Sequence, residues 1–208
     1  MTNNTIMDRE EHCEEFVSKI ESMFPDVPMI RTNEMANVIK DHEKDNSRYV
    51  LVDVRSQPEQ NVSVLEGSVP LSQLDATKLP AKTHLITYCT IGFRACLEAR
   101  QLKEEHPDLR VSCLDGIACY THAISKNKQN PDDNNDSDST KLLNIVQPST
   151  GQVTNQVHTY NERWEKTVSE DFESLNFSSF MFTMQNFLFG AKMAKYTIAN
   201  KFRNLFRG

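Results

Sequence analysis

Apolar residues first recur at three- and four-residue steps. Phe16, Val17, Ile20, Met23 and Phe24 predict one face of a helix over 8–24 whose other positions are largely acidic. Pro25 and Pro28 end that helix. Met29-Ile30 predicts a short strand, and Asn33 caps a helix to about Lys40 with Met35, Val38 and Ile39 turned inward. The period then changes. Tyr49 to Val54, His84 to Tyr88 and Arg110 to Leu114 are continuous apolar, β-branched runs, the pattern of strands buried on both faces. Between the second and third runs lies a helical stretch from about Arg94 to His106, stopped before Pro107. Strand, helix and strand at these distances form a βαβ unit. They predict an α/β fold with a mainly parallel central sheet and helices on both faces. Leu142 to Val146 predicts one more strand, Gly151 a turn, and 152–164 a closing segment.

Polar positions divide the chain. Residues 126–140 (KNKQNPDDNNDSDST) offer no apolar side chain to offset the entropy of an ordered backbone, which predicts a disordered insertion. The expected organisation is an acidic helical extension at 1–26, an α/β domain at 27–165 that contains the insertion, and a tail at 166–208. In the tail Phe177, Phe180, Met181, Met184, Phe187, Leu188, Ala191, Ala194, Ile198, Phe202 and Leu205 keep helical spacing. Charge sharpens the contrast: residues 1–26 hold seven acids and two bases, residues 176–208 five bases and no acid. The tail reads equally as a basic amphipathic helix for a membrane surface or partner groove, engaging through 177–207, and as a terminal helix docked on its own domain or on 8–24.

Composition removes several classes. The 208 residues suit one domain with extensions, and a net charge of −6 argues against a nucleic-acid partner. No apolar run is long enough to span a membrane, and no apolar stretch follows a basic start, so neither a transmembrane helix nor a secretory signal is expected. Five cysteines without a CxxC pair predict free thiols in a reducing, cytoplasmic setting, with peripheral membrane association if the tail serves that purpose.

The chemistry concentrates in Tyr88-Cys89-Thr90-Ile91-Gly92-Phe93-Arg94. A cysteine ends a buried strand, a short loop with Gly92 follows, and a helix starts at the arginine. Successive N–H groups in such a loop converge on an anion, and the helix N-terminus adds a positive end, a setting that favours a thiolate. Gly92 permits the tight turn, and Arg94 can bind an anionic substrate or stabilise a sulfur anion. A small buried cysteine serving only as packing would not need Gly92 and Arg94 at these positions.

C-T-I-G-F-R resembles the C-x-x-G-x-R active loop of rhodanese-like domains. Leu51-Val52-Asp53-Val54-Arg55 resembles the D-V-R closing an earlier strand of that family. Glu59, Val62 and Ser63 resemble the E-x-x-V-S of a subgroup whose loop reads Y-C-T-I-G-Y-R, and Glu66-Gly67-Ser68-Val69 stands at its P-G-A-I turn. Asp115-Gly116-Ile117 is similar to the family's G-G-I, Tyr120-Thr121-His122-Ala123 to the subgroup's W-x-H-A, and Val157-His158-Thr159-Tyr160 with Trp164 to its terminal V-H-x-Y … W. The likeness covers about 22–165. It departs at Tyr120 (for Trp), Phe93 (for Tyr), Asp115 (for Gly), Ser68 and the insertion, leaving cysteine, glycine and arginine intact.

The resemblance implies sulfur transfer. Cys89 takes a sulfane sulfur from a donor such as thiosulfate or a persulfide and passes it, as a Cys89 persulfide, to a thiol or cyanide. It assigns catalysis to Cys89 and Arg94, substrate binding to Thr90, Ile91, Gly92 and Phe93, and bracing of the loop to Asp53 and Arg55. No cofactor or metal is expected. Two other readings stand beside it: a rhodanese-fold docking or regulatory module without turnover, and a cysteine phosphatase or arsenate reductase. Phosphatases of this fold use Cys-x5-Arg, whereas four residues separate Cys89 from Arg94. Cys96 and Cys113 are read as core, Cys119 as passing the site without a redox role, Cys13 as an exposed free thiol, and His122, His158 and Trp164 as packing the terminal segment.

Overall fold

A computed structural model describes residues 2–44, 48–129, 142–178, 181–191 and 194, without the side chains of 2–8, 43 and 163. The chain divides into two compact units, residues 1–175 and 176–208. In the first, the apolar runs become the centre of one sheet. Its strands are β1 (Met29–Ile30), β2 (Tyr49–Asp53), β4 (Val69–Pro70), β5 (His84–Tyr88) and β6 (Arg110–Leu114). A short β3 (Val64–Leu65) stands outside it. The order is β1-β6-β5-β2-β4 and every pairing is parallel. Asp53 faces Tyr88 in the register, and Thr87 faces Cys113. Each residue of β5 is buried, as a central strand requires. Pro70 is tolerated because β4 is an edge strand.

Helices flank the sheet. They are α1 (Thr2–Met23), α2 (Thr32–Lys44), α3 (Gln57–Val62), α4 (Phe93–Glu105) and α5 (Ile117–Gln129). α4 packs on β5 and β6, while α1 and α2 both pack against α5. This confirms the α/β class and the predicted α4 to within a residue at each end. Other expectations shift. The α1 stripe is Cys13, Val17 and Ile20, buried in the common core with Phe24 just beyond the helix end, whereas Met23 is 57% exposed. The acidic helix is therefore part of the first unit. Asn33 does not cap α2. The helix starts at Thr32, and Glu34 caps it by accepting a 2.9 Å hydrogen bond from the Arg31 amide.

The most consequential departure is α5, which carries no amphipathic stripe because it is buried on almost every side. Its last residues, Lys126 to Gln129, take up the start of the segment read as an insertion, and 130–140 lies outside the described residues. The strand expected over Leu142 to Val146 shrinks to β7 (Ile145–Val146). It pairs antiparallel with β3 rather than joining the main sheet. β8 (Gln156–Tyr160) follows, and Val168 and Phe172, read as tail, are core residues of the first unit. In the second unit the backbone is helical over 181–191, with Phe187 and Leu188 exposed, and all five bases lie outside the described residues. Among the described residues no helix is long and apolar enough to cross a membrane.

Burial of the α1 face yields a direct prediction. Ile20→Ala removes a side chain that is 5% exposed and should cost about 2–4 kcal/mol in urea-unfolding free energy. Met23→Ala, on the exposed side, should stay within about 0.5 kcal/mol of the parent.

Candidate active site around Cys89

Cys89 is the residue after β5, at the carboxyl end of the central strand and 1% exposed. The loop after it is held by backbone. Ile117 N–H donates to Cys89 O at 2.9 Å and Ala118 N–H to Thr90 O at 3.0 Å, so the first turn of α5 points at the loop. The loop can lie that close because residue 116 is glycine. A Cβ there would sit 2.5 Å from Thr90 O and 2.8 Å from the Ile91 backbone, and its φ is +125°. Gly92, at φ +92°, turns the chain into α4, and its carbonyl accepts from Cys96 N–H at 2.9 Å. Cys89 thus stands between the N-termini of α4 and α5, whose dipoles both favour negative charge.

Two ion pairs surround this loop. Asp53 and Arg55, neither side chain exposed, join through Nε to Oδ1 at 3.0 Å and Nη2 to Oδ2 at 2.7 Å. Arg55 Nη2 also donates to Ser63 O at 2.6 Å. The Tyr88 hydroxyl donates to Asp53 Oδ2 at 2.6 Å and accepts from Leu65 N–H at 3.1 Å, while the Arg55 guanidinium lies 5.5 Å from the Tyr88 ring centroid. Asp53 and Arg55 therefore reach the cysteine through Tyr88, the residue before it. Burial, reinforced by the Asp53 charge, pushes the Tyr88 phenol well above its ordinary range.

Glu59 forms the second pair. Its carboxylate accepts from Arg94 Nη1 at 2.8 Å and Nη2 at 2.6 Å, and from Ser56 N–H at 2.9 Å and Oγ at 2.7 Å. Burial alone would push Glu59 up, but the Arg94 charge and these bonds outweigh it and hold the carboxyl at about 2. Arg94 Nη2 also donates to Thr90 Oγ1 at 3.2 Å, and its guanidinium lies 4.9 Å from the Tyr160 ring centroid. Tyr160 holds a left-handed φ of +71°, and its N–H donates to His158 Nδ1 at 3.0 Å. His158 is buried in the field of Glu59, Arg55 and Arg94. Burial lowers its pKa to about 4, so the ring is neutral near pH 7.

Cys89, Thr90, Ile91 and Gly92 form one loop, Arg94 stands in the first turn of α4 after it, and Asp53 and Arg55 are linked to the loop by Tyr88. Phe93 begins α4, its ring centroid 5.6 Å from that of Phe24. Glu59, Gly116, His158 and Tyr160 join the site by geometry. All four fall within the quoted motifs, but only the fold shows that Glu59 occupies the Arg94 fork and that Gly116 admits the loop. His122 packs the terminal segment as expected, with Nε2 3.0 Å from Thr167 O, and Trp164 stacks edgewise on Phe16 at 4.7 Å. Cys96 and Cys113 are fully buried with their sulfurs in contact, 2.6 Å apart. Two thiol readings fail. Cys13 is buried, not exposed, and forms a disulfide with Cys119 across 106 residues, so the chain does not carry five free thiols. Among the described residues no cluster of His, Cys, Asp and Glu is arranged to hold a metal ion.

Asp115 yields a pH prediction. Burial raises its carboxyl to about 7 despite hydrogen bonds from Thr32 N–H (2.8 Å) and Oγ1 (2.6 Å). The folded pKa lies above the unfolded value of 3.8, so the folded state binds the extra proton between the two. The stability from Asp115 is present in full below pH 3.8 and is lost as pH rises through 7. Relative to Asp115→Asn, the wild type should lose about 2–4 kcal/mol between pH 4 and 8, read by urea unfolding at each pH.

No protein-family model matches the chain, and no curated protein matches it. Solved structures do. A thiosulfate sulfurtransferase from Pseudomonas aeruginosa aligns at 16% identity and TM-score 0.41, over 53% of this chain and 22% of that one. Reduced CoADR-RHD from Bacillus anthracis aligns at 22% identity and TM-score 0.37, over 48% of this chain and 17% of that one. A Rhodopseudomonas palustris protein of unknown function, described as a possible tyrosine phosphatase, aligns at 18% identity and TM-score 0.37, over 53% and 89%. This chain thus spans less than a quarter of the length of the first two. At such scores the functional weight rests on the residues themselves. The chain is an α/β domain with a parallel five-stranded sheet, and C-T-I-G-F-R stands at the carboxyl end of its central strand, an arrangement that resembles the rhodanese-like fold.

Proposed function

We propose that the chain is a sulfurtransferase that carries a sulfane sulfur on Cys89. The observation that supports this most is the placing of Cys89 at the end of β5 between two helix N-termini, in a loop with four residues before Arg94. A ring that short suits one sulfur atom better than a tetrahedral phosphate. With thiosulfate as donor, the Cys89 thiolate attacks the outer sulfur. The donor S–S bond breaks, and sulfite departs with its electron pair. Cyanide or a thiolate then attacks the outer sulfur of the Cys89 persulfide, and the Cys89 thiolate is restored. Loop N–H groups and the two helix dipoles stabilise the persulfide anion. Arg94, paired with Glu59 and bonded to Thr90, holds the loop in place rather than acting as a mobile anion clamp.

Burial supports a second reading. Cys89 is 1% exposed and the Arg94 fork is filled by Glu59, which is also what a docking or regulatory module without turnover would present. Kinetics separate the readings. Thiosulfate:cyanide sulfur transfer should be measurable for the wild type and fall by at least about a thousandfold in Cys89→Ser. Equal rates in the two proteins would sink the proposal, and Cys89-dependent release of phosphate from an aryl phosphate would assign the loop to a phosphatase.

A further inference from the structure

A cavity lies against the chain that leads out of the loop. It encloses about 380 Å3 between α1, the start of α2, the end of β6 and α5, with the Cys13–Cys119 disulfide in its lining. Asp115, Arg31, His122 and Lys126 line it too. The disulfide is 1% exposed at Cys13 and 6% at Cys119, and both cysteines line this space. The charges around it are mixed and paired. Lys126 meets Glu10 at 2.6 Å, and Arg31 meets Glu14 at 3.2 Å and Glu21 at 2.7 Å. A ligand bearing both carboxylate and ammonium groups can exchange with such pairs, whereas an uncharged one cannot. Asp115 adds a buried carboxyl that accepts from Thr32 and, among the described residues, has no cation bonded to it. Nothing in sulfur transfer at Cys89 uses these groups.

We infer that this cavity is a thiol–disulfide exchange site for a low-molecular-weight thiol carrying carboxylate and ammonium groups, of the glutathione class. The incoming thiolate forms an S–S bond to Cys13 Sγ as the Cys13–Cys119 bond breaks. The bonding pair leaves on Cys119 Sγ, in the first turn of α5, where the helix dipole stabilises a thiolate and makes Cys119 the better leaving group. A second thiolate attacks the ligand sulfur of the mixed disulfide and releases the Cys13 thiolate together with the oxidised ligand. Two electrons pass from two ligand thiols to the protein, and the two thiol protons pass to solvent or to the new protein thiolates. The reverse sequence, with the ligand disulfide as oxidant, closes the bond.

The test uses the full chain with Cys89→Ser, which removes the catalytic thiol from the readout. After equilibration with glutathione disulfide, the protein is treated with reduced glutathione or with 2-mercaptoethanol. Opening of Cys13–Cys119 is followed by alkylation and peptide mass. Per thiolate, glutathione should open the bond roughly tenfold faster than the uncharged thiol, with a glutathione adduct passing through Cys13. In Arg31→Met/Lys126→Met that advantage should vanish while the 2-mercaptoethanol rate stays the same, which also shows that the variant is folded. Equal rates for the two thiols in the parent would overturn the assignment. So would alkylation of both Cys13 and Cys119 after the oxidising equilibration.

Discussion

Everything at the site depends on the contact between two backbones. The turn at Asp115-Gly116 lies so close to Thr90 and Ile91 that no side chain fits at residue 116. That closeness lets the Ile117 and Ala118 amides satisfy the carbonyls of Cys89 and Thr90, which would otherwise be buried without partners. One constraint thereby fixes the conformation of the cysteine loop, brings the start of α5 onto its backbone, and sets Asp115 and Cys119 within one short stretch of chain. The loop and the cavity that holds the disulfide share this support.

Charge is arranged around that support with little surplus. Arg55 is neutralised by Asp53 and Arg94 by Glu59, each through two-pronged contacts. Buried pairs of this kind seldom add much net stability, because desolvation offsets their attraction. Their contribution is fixed geometry: Asp53 grips Tyr88 ahead of the cysteine, and Glu59 grips Arg94 behind it. The loop is clamped at both ends by carboxylates, Asp53 at the end of β2 and Glu59 in α3. Neutral, buried His158 closes the arrangement without adding a charge.

The runs at 49–54, 84–88 and 110–114 were legible because a strand buried on both faces must be apolar throughout, whatever it packs against. The loop was legible because its chemistry is local: cysteine, glycine and arginine lie within six residues of one another. α5 was not, since its first six residues are all buried and show no polar face to reveal a period, and its Lys126–Gln129 end merges with polar chain. The Cys13–Cys119 bond was hidden for a different reason. Its partners are 106 residues apart, and Cys13 sits among glutamates that look like a solvated surface, although helical rotation turns it inward beside Val17 and Ile20. The role of Glu59 was half visible: its motif placed it near the site, but only the fold showed that it fills the Arg94 fork.

Sulfur transfer by this chain comes down to one atom of sulfur on one residue. The most direct measurement is the mass of the Cys89 peptide after the reduced protein is incubated with thiosulfate and freed of excess donor. The account predicts one added sulfur atom on Cys89, removed by cyanide with release of thiocyanate. An unmodified Cys89 peptide in a folded protein, at donor concentrations that saturate any turnover, would contradict it.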